Sequence, residues 1–191
     1  MFINNEPCLI RSLSECIYQK RPLIHCFNRI LELHLQGKIT FMRAVIQRVN
    51  HAKLVIDDLL YSEIGHGLLV LLGIHETDGE EDVKWLVSKI SQMRIFSDAD
   101  DKMNLSLLDN GGSMMIVSQF TLHASTKKGN RPSFIDAARP EQAIPLYEDF
   151  ISRCRELFPD RIATGSFGAD MKITLLNDGP VTIVIDSKQK E

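Results

Sequence analysis

The sequence predicts an α+β domain built on a small, barrel-like sheet of mixed or antiparallel strands with two main helices. Three observations lead to this prediction. Most apolar runs have strand character, only two long stretches have helical periodicity, and the two types do not alternate regularly. The 191 residues are 44% hydrophobic and 25% charged, which is ordinary for one globular domain with a single core.

The first 41 residues differ in composition and hydrophobic pattern from the rest. They contain three of the four cysteines and one modest amphipathic stretch, from Ile24 to Leu35, which Gly37 ends. Met42 is a natural start residue for the different pattern that follows. We therefore expect residues 1–41 to be an N-terminal extension without a function, or a mis-assigned start, with a targeting or docking helix as the alternative. The domain would then be residues 42–191.

Short strands dominate the beginning of this domain. Alternating and continuous apolar runs predict four strands, at Val45–Val49, Ala52–Ile56, Leu59–Ile64 and Leu68–Ile74. The last of these has no polar face, so it is expected at the centre of the core.

Two stretches have the periodicity of amphipathic helices. The first is predicted to begin at Asp78, with Glu81 completing a capping box and Val83, Leu86, Val87 and Ile90 on one face. The second runs from about Pro140 to Phe158, with proline at a favoured first position. Cys154 falls on its apolar face and is expected to be a core thiol.

The chain ends in two further predicted strands, Ala169–Leu176 and Val181–Ile185, joined by a turn over residues 177–180. Pro180 fixes φ and removes a donor where a buried strand would begin. A trans proline that starts the strand and a rigid cis turn are both open, and the base rate favours trans.

Several classes of protein are disfavoured. The net charge of −3 argues against a strongly basic nucleic-acid binder, so a polyanion site would have to be local. Neither the cysteines nor the six scattered histidines have metal-ligand spacing, and we expect no metal and no cofactor. The sequence has no apolar run long enough to cross a membrane, no secretory signal pattern and no disulfide framework, which fits a reducing cytoplasm.

The stretch Ser118-Gln119-Phe120-Thr121 follows the apolar run Met114–Val117 directly, where a buried strand leaves the core. Free backbone N–H groups at such a point can stabilise a developing oxyanion. Thr121 is a conceivable nucleophile, but it needs a nearby base, and His123 is not obviously placed for that. A solvated strand end is the competing interpretation.

A basic loop lies a few residues downstream. Lys127, Lys128 and Arg131 fall within five residues and could receive phosphate groups. A solvated cluster of charges is the commoner explanation of such a pattern.

Five motifs, taken in order, resemble those of the D-aminoacyl-tRNA deacylase family, also called D-tyrosyl-tRNA deacylases. They are MRAVIQRV (42–49), SQFTL (118–122), GNRPSF (129–134), FGADM (167–171) and NDGPVT (177–182). The resemblance covers essentially all of residues 42–187, and the family normally begins at the position of Met42.

The resemblance implies a homodimer of small β-barrel-like subunits that hydrolyses the ester between a D-amino acid, or glycine, and the 3′-terminal adenosine of tRNA. Backbone groups of Gln119, Phe120 and Thr121 would bind the scissile carbonyl. Gly179-Pro180 would be cis, reach into the partner's pocket and exclude L-amino acids, with Arg48 holding the motif.

The same resemblance gives other residues supporting roles. Met171 and Phe167 would shape the adenine subsite, and the three basic loop residues would meet tRNA phosphates. Two rival classes remain: a non-catalytic RNA-binding barrel that depends on the basic loop, and a small-molecule esterase with Thr121 as nucleophile.

Overall fold

A computed structural model describes residues 42–188 of the chain. The expectations for residues 1–41, the N-terminal extension and its amphipathic stretch, therefore lie outside the described residues.

The described part of the chain alternates strands with three α-helices and one short 3-10 helix. In chain order the elements are β1 (Arg43–Ile56), β2 (Leu59–Ile64), β3 (Gly67–Gly73), α1 (Glu80–Gln92), β4 (Phe96–Ser97), β5 (Met103–Leu105), α2 (Leu107–Asn110), β6 (Ser113–Ser118), the 3-10 helix (Phe120–His123), α3 (Pro140–Leu157), β7 (Ile162–Thr164) and β8 (Lys172–Asp186).

Six strands form one mixed sheet in the order β2-β1-β3-β6-β7, with β8 also paired to β1. β1 is antiparallel to β2, β3 and β8, whereas β6 is parallel to both β3 and β7. The hydroxyl of Ser62 on β2 donates to the carbonyl of Thr164 on β7 at 3.0 Å. This bond joins the two ends of the strand order, so the sheet nearly closes into a barrel. The predicted α+β, barrel-like fold is confirmed.

Apolar side chains fill both sides of the sheet. One cluster lies between the sheet and the long helices α1 and α3, and a second lies inside the curl of the sheet around Leu54, Leu69 and Met115. β3 and β6 contribute to both clusters, which explains their continuous apolar sequences. Cys154 is buried on α3, and burial raises the pKa of its thiol to about 12. It is the core thiol that the helical pattern predicts.

Two predicted strand boundaries are wrong. Val45–Val49 and Ala52–Ile56 are parts of one strand, β1. The final two predicted strands are likewise joined in one strand, β8, which begins at Lys172 and not at Ala169. The polar residues between each pair of runs do not turn the chain. They form bulges instead, because β1 and β8 pair with each other along nearly their whole length.

The start of α1 also differs from its prediction by one residue. The N-cap is Gly79, and the carboxylate of Asp82 accepts from its backbone N–H at 3.0 Å. Asp78 does not cap the helix, since its Oδ2 accepts from the backbone N–H of His75 at 2.6 Å. The four-residue helix α2 and the short strands β4, β5 and β7 were not predicted, because two to four residues are too few to display a period.

Candidate active site

The end of β6 brings backbone donors to the surface. The N–H of Gln119 continues the sheet by donating to the carbonyl of Leu72 at 2.7 Å, and the chain then turns into the 3-10 helix. Within residues 42–188, neither the N–H of Phe120 nor that of Thr121 has an acceptor. Two adjacent, unpaired N–H groups at the first residues of a helical turn suit a carbonyl oxygen that gains negative charge.

Gly73, at the end of β3, allows this turn to pack closely. A Cβ atom there would lie 2.9 Å from Cβ of Leu122 and 3.1 Å from the carbonyl oxygen of Gln119. Any side chain at residue 73 would therefore displace the turn that carries the two free donors. The need for glycine at residue 73 cannot be predicted from the sequence pattern, because the contact depends on tertiary packing.

A cavity of about 300 Å³ opens beside these donors. Ser118, Gln119 and Phe120 line one side of it, and residues 167–171 line another. Phe167 and Met171, which the resemblance assigns to an adenine subsite, are both in this lining. The rest of the wall is mostly apolar, so the cavity suits a flat or aliphatic group with a few directed polar contacts.

Two contacts hold the Phe167–Met171 side of the cavity. The hydroxyl of buried Tyr147 donates to the carbonyl of Ile116 at 2.8 Å, and its ring lies 6.1 Å from that of Phe167. A Cβ atom on Gly165 would come within 2.5 Å of the sulfur of Met171, so a side chain there would force this methionine to shift.

Arg43 braces the other end of the 3-10 helix. Its Nη1 donates to the carbonyl of Leu122 at 2.8 Å, while Nε lies 2.8 Å from a carboxylate oxygen of Asp186 on β8. The first strand and the last strand are thus tied to the turn that holds the free N–H groups. Sequence reasoning did not single out Arg43, because its partners are 79 and 143 residues away.

Thr121 has no general base in the described part of the chain. Its hydroxyl accepts from Nε2 of Gln119 at 2.5 Å. The side chain of His123 is buried, with its ring 5.5 Å from that of His75, and no hydrogen bond joins it to Thr121 within residues 42–188. Burial is the main cause that lowers the pKa of His123. This geometry gives no support to Thr121 as an activated nucleophile.

Gly179 and Pro180 lie in a different region from the cavity, in a bulge of β8. Between the pairs Gln47–Thr182 and Val49–Asn177, four residues of β8 (178–181) stand opposite one residue of β1, Arg48. The Gly179–Pro180 peptide bond is cis, and both residues are exposed. Neither of them lines the 300 Å³ cavity.

The side chain of Arg48 fills the inside of this bulge. Its Nη1 donates to the carbonyl of Ile95 at 2.5 Å, and its Nε lies 2.9 Å from Oδ2 of Asp178. The second contact is an ion pair and lacks the direction of a hydrogen bond. Asn177 adds a further brace by accepting from the N–H of Val181 at 3.2 Å. Arg48 therefore contacts Asp178, the residue before Gly179, within one chain.

The basic loop lies next to the cavity. The backbones of Ser125 and Ser133 exchange two hydrogen bonds, of 2.8 and 2.9 Å, which close the base of the loop. The ring of Phe134 meets that of Phe120 edge to face at 5.1 Å. Lys127, Lys128 and Arg131 are exposed, and none of them forms an ion pair with another described residue.

The structure thus places the predicted site residues in three groups. Ser118, Gln119 and Phe120 join Phe167 and Met171 around the cavity, whereas Thr121 lies outside its lining. The basic residues are on the loop that follows the 3-10 helix, and Arg48 joins the Gly-Pro bulge elsewhere on the same chain. Among residues 42–188 there is no group of three or more His, Cys, Asp or Glu side chains that could hold a metal ion. No helix in this range is long and apolar enough to cross a membrane.

Comparison with known proteins gives a consistent result. The family described as D-Tyr-tRNA(Tyr) deacylase matches residues 45–186. Proteins named D-aminoacyl-tRNA deacylase from Cytophaga hutchinsonii and Akkermansia muciniphila are 62% and 59% identical over 150 residues. Each match covers 78% of this chain and 100% of the relative.

Two solved structures share the fold. One, described as c-Myc DNA Unwinding Element Binding Protein, is 39% identical with a TM-score of 0.73 and covers 76% of this chain and 98% of its own. The other, described as a probable eukaryotic D-amino acid tRNA deacylase, is 18% identical with a TM-score of 0.68 and covers 77% and 100%. The family match and the identities above 50% show that this chain belongs to the D-Tyr-tRNA(Tyr) deacylase family.

Proposed function

We propose that this protein is a hydrolase that cleaves the ester bond between a D-amino acid and the 3′-terminal adenosine of tRNA, and also acts on mischarged glycine. The single observation that carries this proposal is a pair of adjacent N–H groups without an acceptor among residues 42–188, one on Phe120, which lines the 300 Å³ cavity, and one on the next residue, Thr121. Family membership selects aminoacyl-tRNA as the ester.

The reaction needs water and a stabilised oxyanion. Water adds to the ester carbonyl, whose oxygen gains negative charge and accepts hydrogen bonds from the N–H groups of Phe120 and Thr121. The intermediate then collapses, the ribose oxygen leaves with a proton, and the products are the free amino acid and uncharged tRNA. A hydroxyl of the terminal ribose assists the water, so the protein needs no nucleophile. The adenine ring lies against Phe167 and Met171.

Selectivity requires a rigid wall beside the α-carbon of the substrate. We assign this wall to Gly179 and Pro180 of a second subunit, because these residues do not line the cavity of their own chain and are exposed there. The working enzyme would then be a homodimer, with each site made from both subunits. Arg48 holds the bulge in place, and the backbone rejects L-amino acids by steric exclusion.

The tRNA body would bind beside the cavity. Lys127, Lys128 and Arg131 are exposed on the loop before Phe134, whose ring contacts that of Phe120, and they could contact phosphates. We assign the activity to residues 42–191 and the protein to the cytoplasm, where charged tRNA is used.

One assay separates this proposal from its two rivals. The protein is incubated with D-tyrosyl-tRNA, with L-tyrosyl-tRNA and with a simple aromatic ester, and free amino acid or alcohol is measured. Turnover of D-tyrosyl-tRNA alone supports the deacylase. Binding of tRNA without turnover would indicate an RNA-binding barrel, and turnover of the simple ester would indicate a general esterase.

Thr121→Ala tests the backbone mechanism. Hydrolysis of D-tyrosyl-tRNA should stay within about tenfold of the unchanged protein, about 1.4 kcal/mol in the barrier, because the N–H group remains. A covalent aminoacyl adduct trapped on Thr121 would contradict this mechanism and favour the esterase.

Mixed subunits test the shared site. Ala169→Phe fills the cavity and alone should be inactive, whereas Gly179→Ala damages the bulge and alone should lose the preference for D-esters. A mixture that exchanges subunits should recover D-selective activity, since one of the two sites in each mixed dimer is intact. A monomer with full activity and selectivity would contradict the homodimer.

A further inference from the structure

The buried carboxylate of Asp78, which lies outside the five sequence motifs, has one oxygen without a hydrogen-bond donor. Asp78 lies in the connection between β3 and α1, and its side chain is fully buried. Its Oδ2 accepts from the backbone N–H of His75, but its Oδ1 has no hydrogen-bond partner. Burying a charged oxygen without a hydrogen-bond donor is unfavourable in free energy, so we expect this atom to have a partner.

The charges around Asp78 do not balance. Asp82, on α1, lies in the same cluster, where its Oδ1 accepts from the hydroxyl of Ser187 at 2.6 Å. Among residues 42–188, the one cation that reaches both carboxylates is Lys188, whose Nζ lies 3.7 Å from Oδ2 of Asp82 and 4.0 Å from Oδ1 of Asp78. The side chain of Lys188 is 36% exposed, so one ammonium at the rim serves two carboxylates. Counted over residues 42–188, the cluster has two carboxylates and one ammonium, so a second positive charge would balance it.

The backbone of Met42 reaches this cluster. Met42 is fully buried, and its carbonyl accepts from the N–H of Ser187 at 3.0 Å, which fixes its main chain next to Lys188. The N–H of Met42 faces the Asp78 carboxylate and is one of the influences that lower its pKa. Burial outweighs them and raises the pKa of Asp78 to about 6. A single peptide N–H carries no charge and leaves Oδ1 unsatisfied.

We infer that the Asp78 carboxylate, with Asp82 beside it, is a binding site for the α-ammonium group of a chain that begins at Met42. An ammonium at this nitrogen would add one positive charge and three donors in place of a single N–H. It would supply the donor that Oδ1 lacks and neutralise the second carboxylate. Charge-assisted hydrogen bonds of this kind are the stronger class.

The comparisons fit a domain that folds from Met42. Relatives match over 150 residues with their whole length, and 150 is also the number of residues from Met42 to Glu191. The inference is independent of the proposed reaction, since none of these residues lines the cavity.

The direct test is the pKa of the α-amino group in a chain that starts at Met42. An NMR titration should place it more than one unit above the ordinary value of about 7.7–8.0. Asp78→Asn should return it toward that value. Asp100→Asn is the matched control, because Asp100 is an exposed carboxylate whose ion pair, at 3.9 Å, is with Lys102. An α-amino group that titrates normally would overturn the inference.

Stability gives a second readout. Selective acetylation of the α-amine should raise the unfolding equilibrium constant at neutral pH by about tenfold or more, as expected for the loss of a charge-assisted hydrogen bond. The effect should disappear in Asp78→Asn and persist in Asp100→Asn. Equal effects of acetylation in all three backgrounds would contradict the site, as would failure of the Met42 chain to fold when the full chain folds.

Discussion

Arg48 lies 2.9 Å from Asp178, inside the bulge of β8 that carries Gly179 and Pro180. Arg48 is 9% exposed, and the side chain of Asp178 is 32% exposed, so water screens this pair only partly. The guanidinium also donates to the carbonyl of Ile95. One side chain thus links the bulge to the segment after α1, and the shape of the bulge depends on it.

Removing this guanidinium should loosen the bulge. Arg48→Met should lower the free energy of unfolding by about 1–3 kcal/mol, because Asp178 and the Ile95 carbonyl lose their partner. It should also reduce the ratio of D- to L-aminoacyl-tRNA hydrolysis. Lys53→Met is the control, since the Lys53–Glu63 pair is half exposed and should matter by less than about 1 kcal/mol. Unchanged stability and an unchanged ratio in Arg48→Met would disprove this role.

Gly179→Ala should disturb the bulge by two routes. The φ of Gly179 is +116°, and an added Cβ would lie 2.9 Å from both Nη2 of Arg48 and Cγ2 of Val181. Gly129→Ala tests the backbone strain without the steric clash, because Gly129 has a similar φ of +119° but open space around it. Both variants should lose about 1–3 kcal/mol of stability from backbone strain. Only Gly179→Ala should change the D-to-L ratio; a similar change in Gly129→Ala would point to a general loss of order.

The basic loop should act on the tRNA and leave amino-acid preference alone. Lys127→Ala together with Lys128→Ala should weaken tRNA binding and reduce the salt dependence by up to about two counterions. Binding is measured over a series of salt concentrations, with Lys89→Ala plus Lys102→Ala as a control of equal charge change. A shift in the D-to-L ratio with an unchanged salt slope would place the loop in the amino-acid pocket.

Stability of the full chain should depend on pH through Asp78. Burial raises its pKa from 3.8 to about 6 in the folded state, so the folded chain holds more protons than the unfolded chain between these values. The free energy of unfolding should therefore fall as pH rises from about 4 to about 6. Asp78→Asn should flatten this part of the profile when unfolding by urea is measured at each pH. A full chain whose stability rises through this window, with the same slope in Asp78→Asn, would contradict the assignment.

The sequence predicted the class of fold and the two long helices, because a long helix has enough residues to display a period. The apolar face of α3 lies where that period places it, and the continuous apolar run of β3 lies in the core. The division of β8 was wrong, because Asn177, Asp178 and Gly179 have the same local chemistry in a turn as in a bulge. Only pairing with β1, more than 120 residues earlier, decides between the two.

The site was predicted in part. Polar residues after a buried strand marked the cavity edge at Ser118 and Gln119, since such a change of pattern is local. Arg43, Gly73 and Gly165 were missed, because their roles come from contacts with distant parts of the chain. Asp78 was expected to cap a helix, and its buried environment could not be read from its neighbours.

The most direct test of the account is single-turnover hydrolysis of D-tyrosyl-tRNA and L-tyrosyl-tRNA, prepared on the same tRNA and mixed with excess protein. The rate constants measure transition-state stabilisation for two substrates that differ only in the configuration at one carbon. We predict that the D-ester is hydrolysed at least about 100-fold faster than the L-ester, a difference of about 2.7 kcal/mol in the barrier. Equal rate constants, or no hydrolysis of the D-ester above the spontaneous rate, would contradict the proposed function.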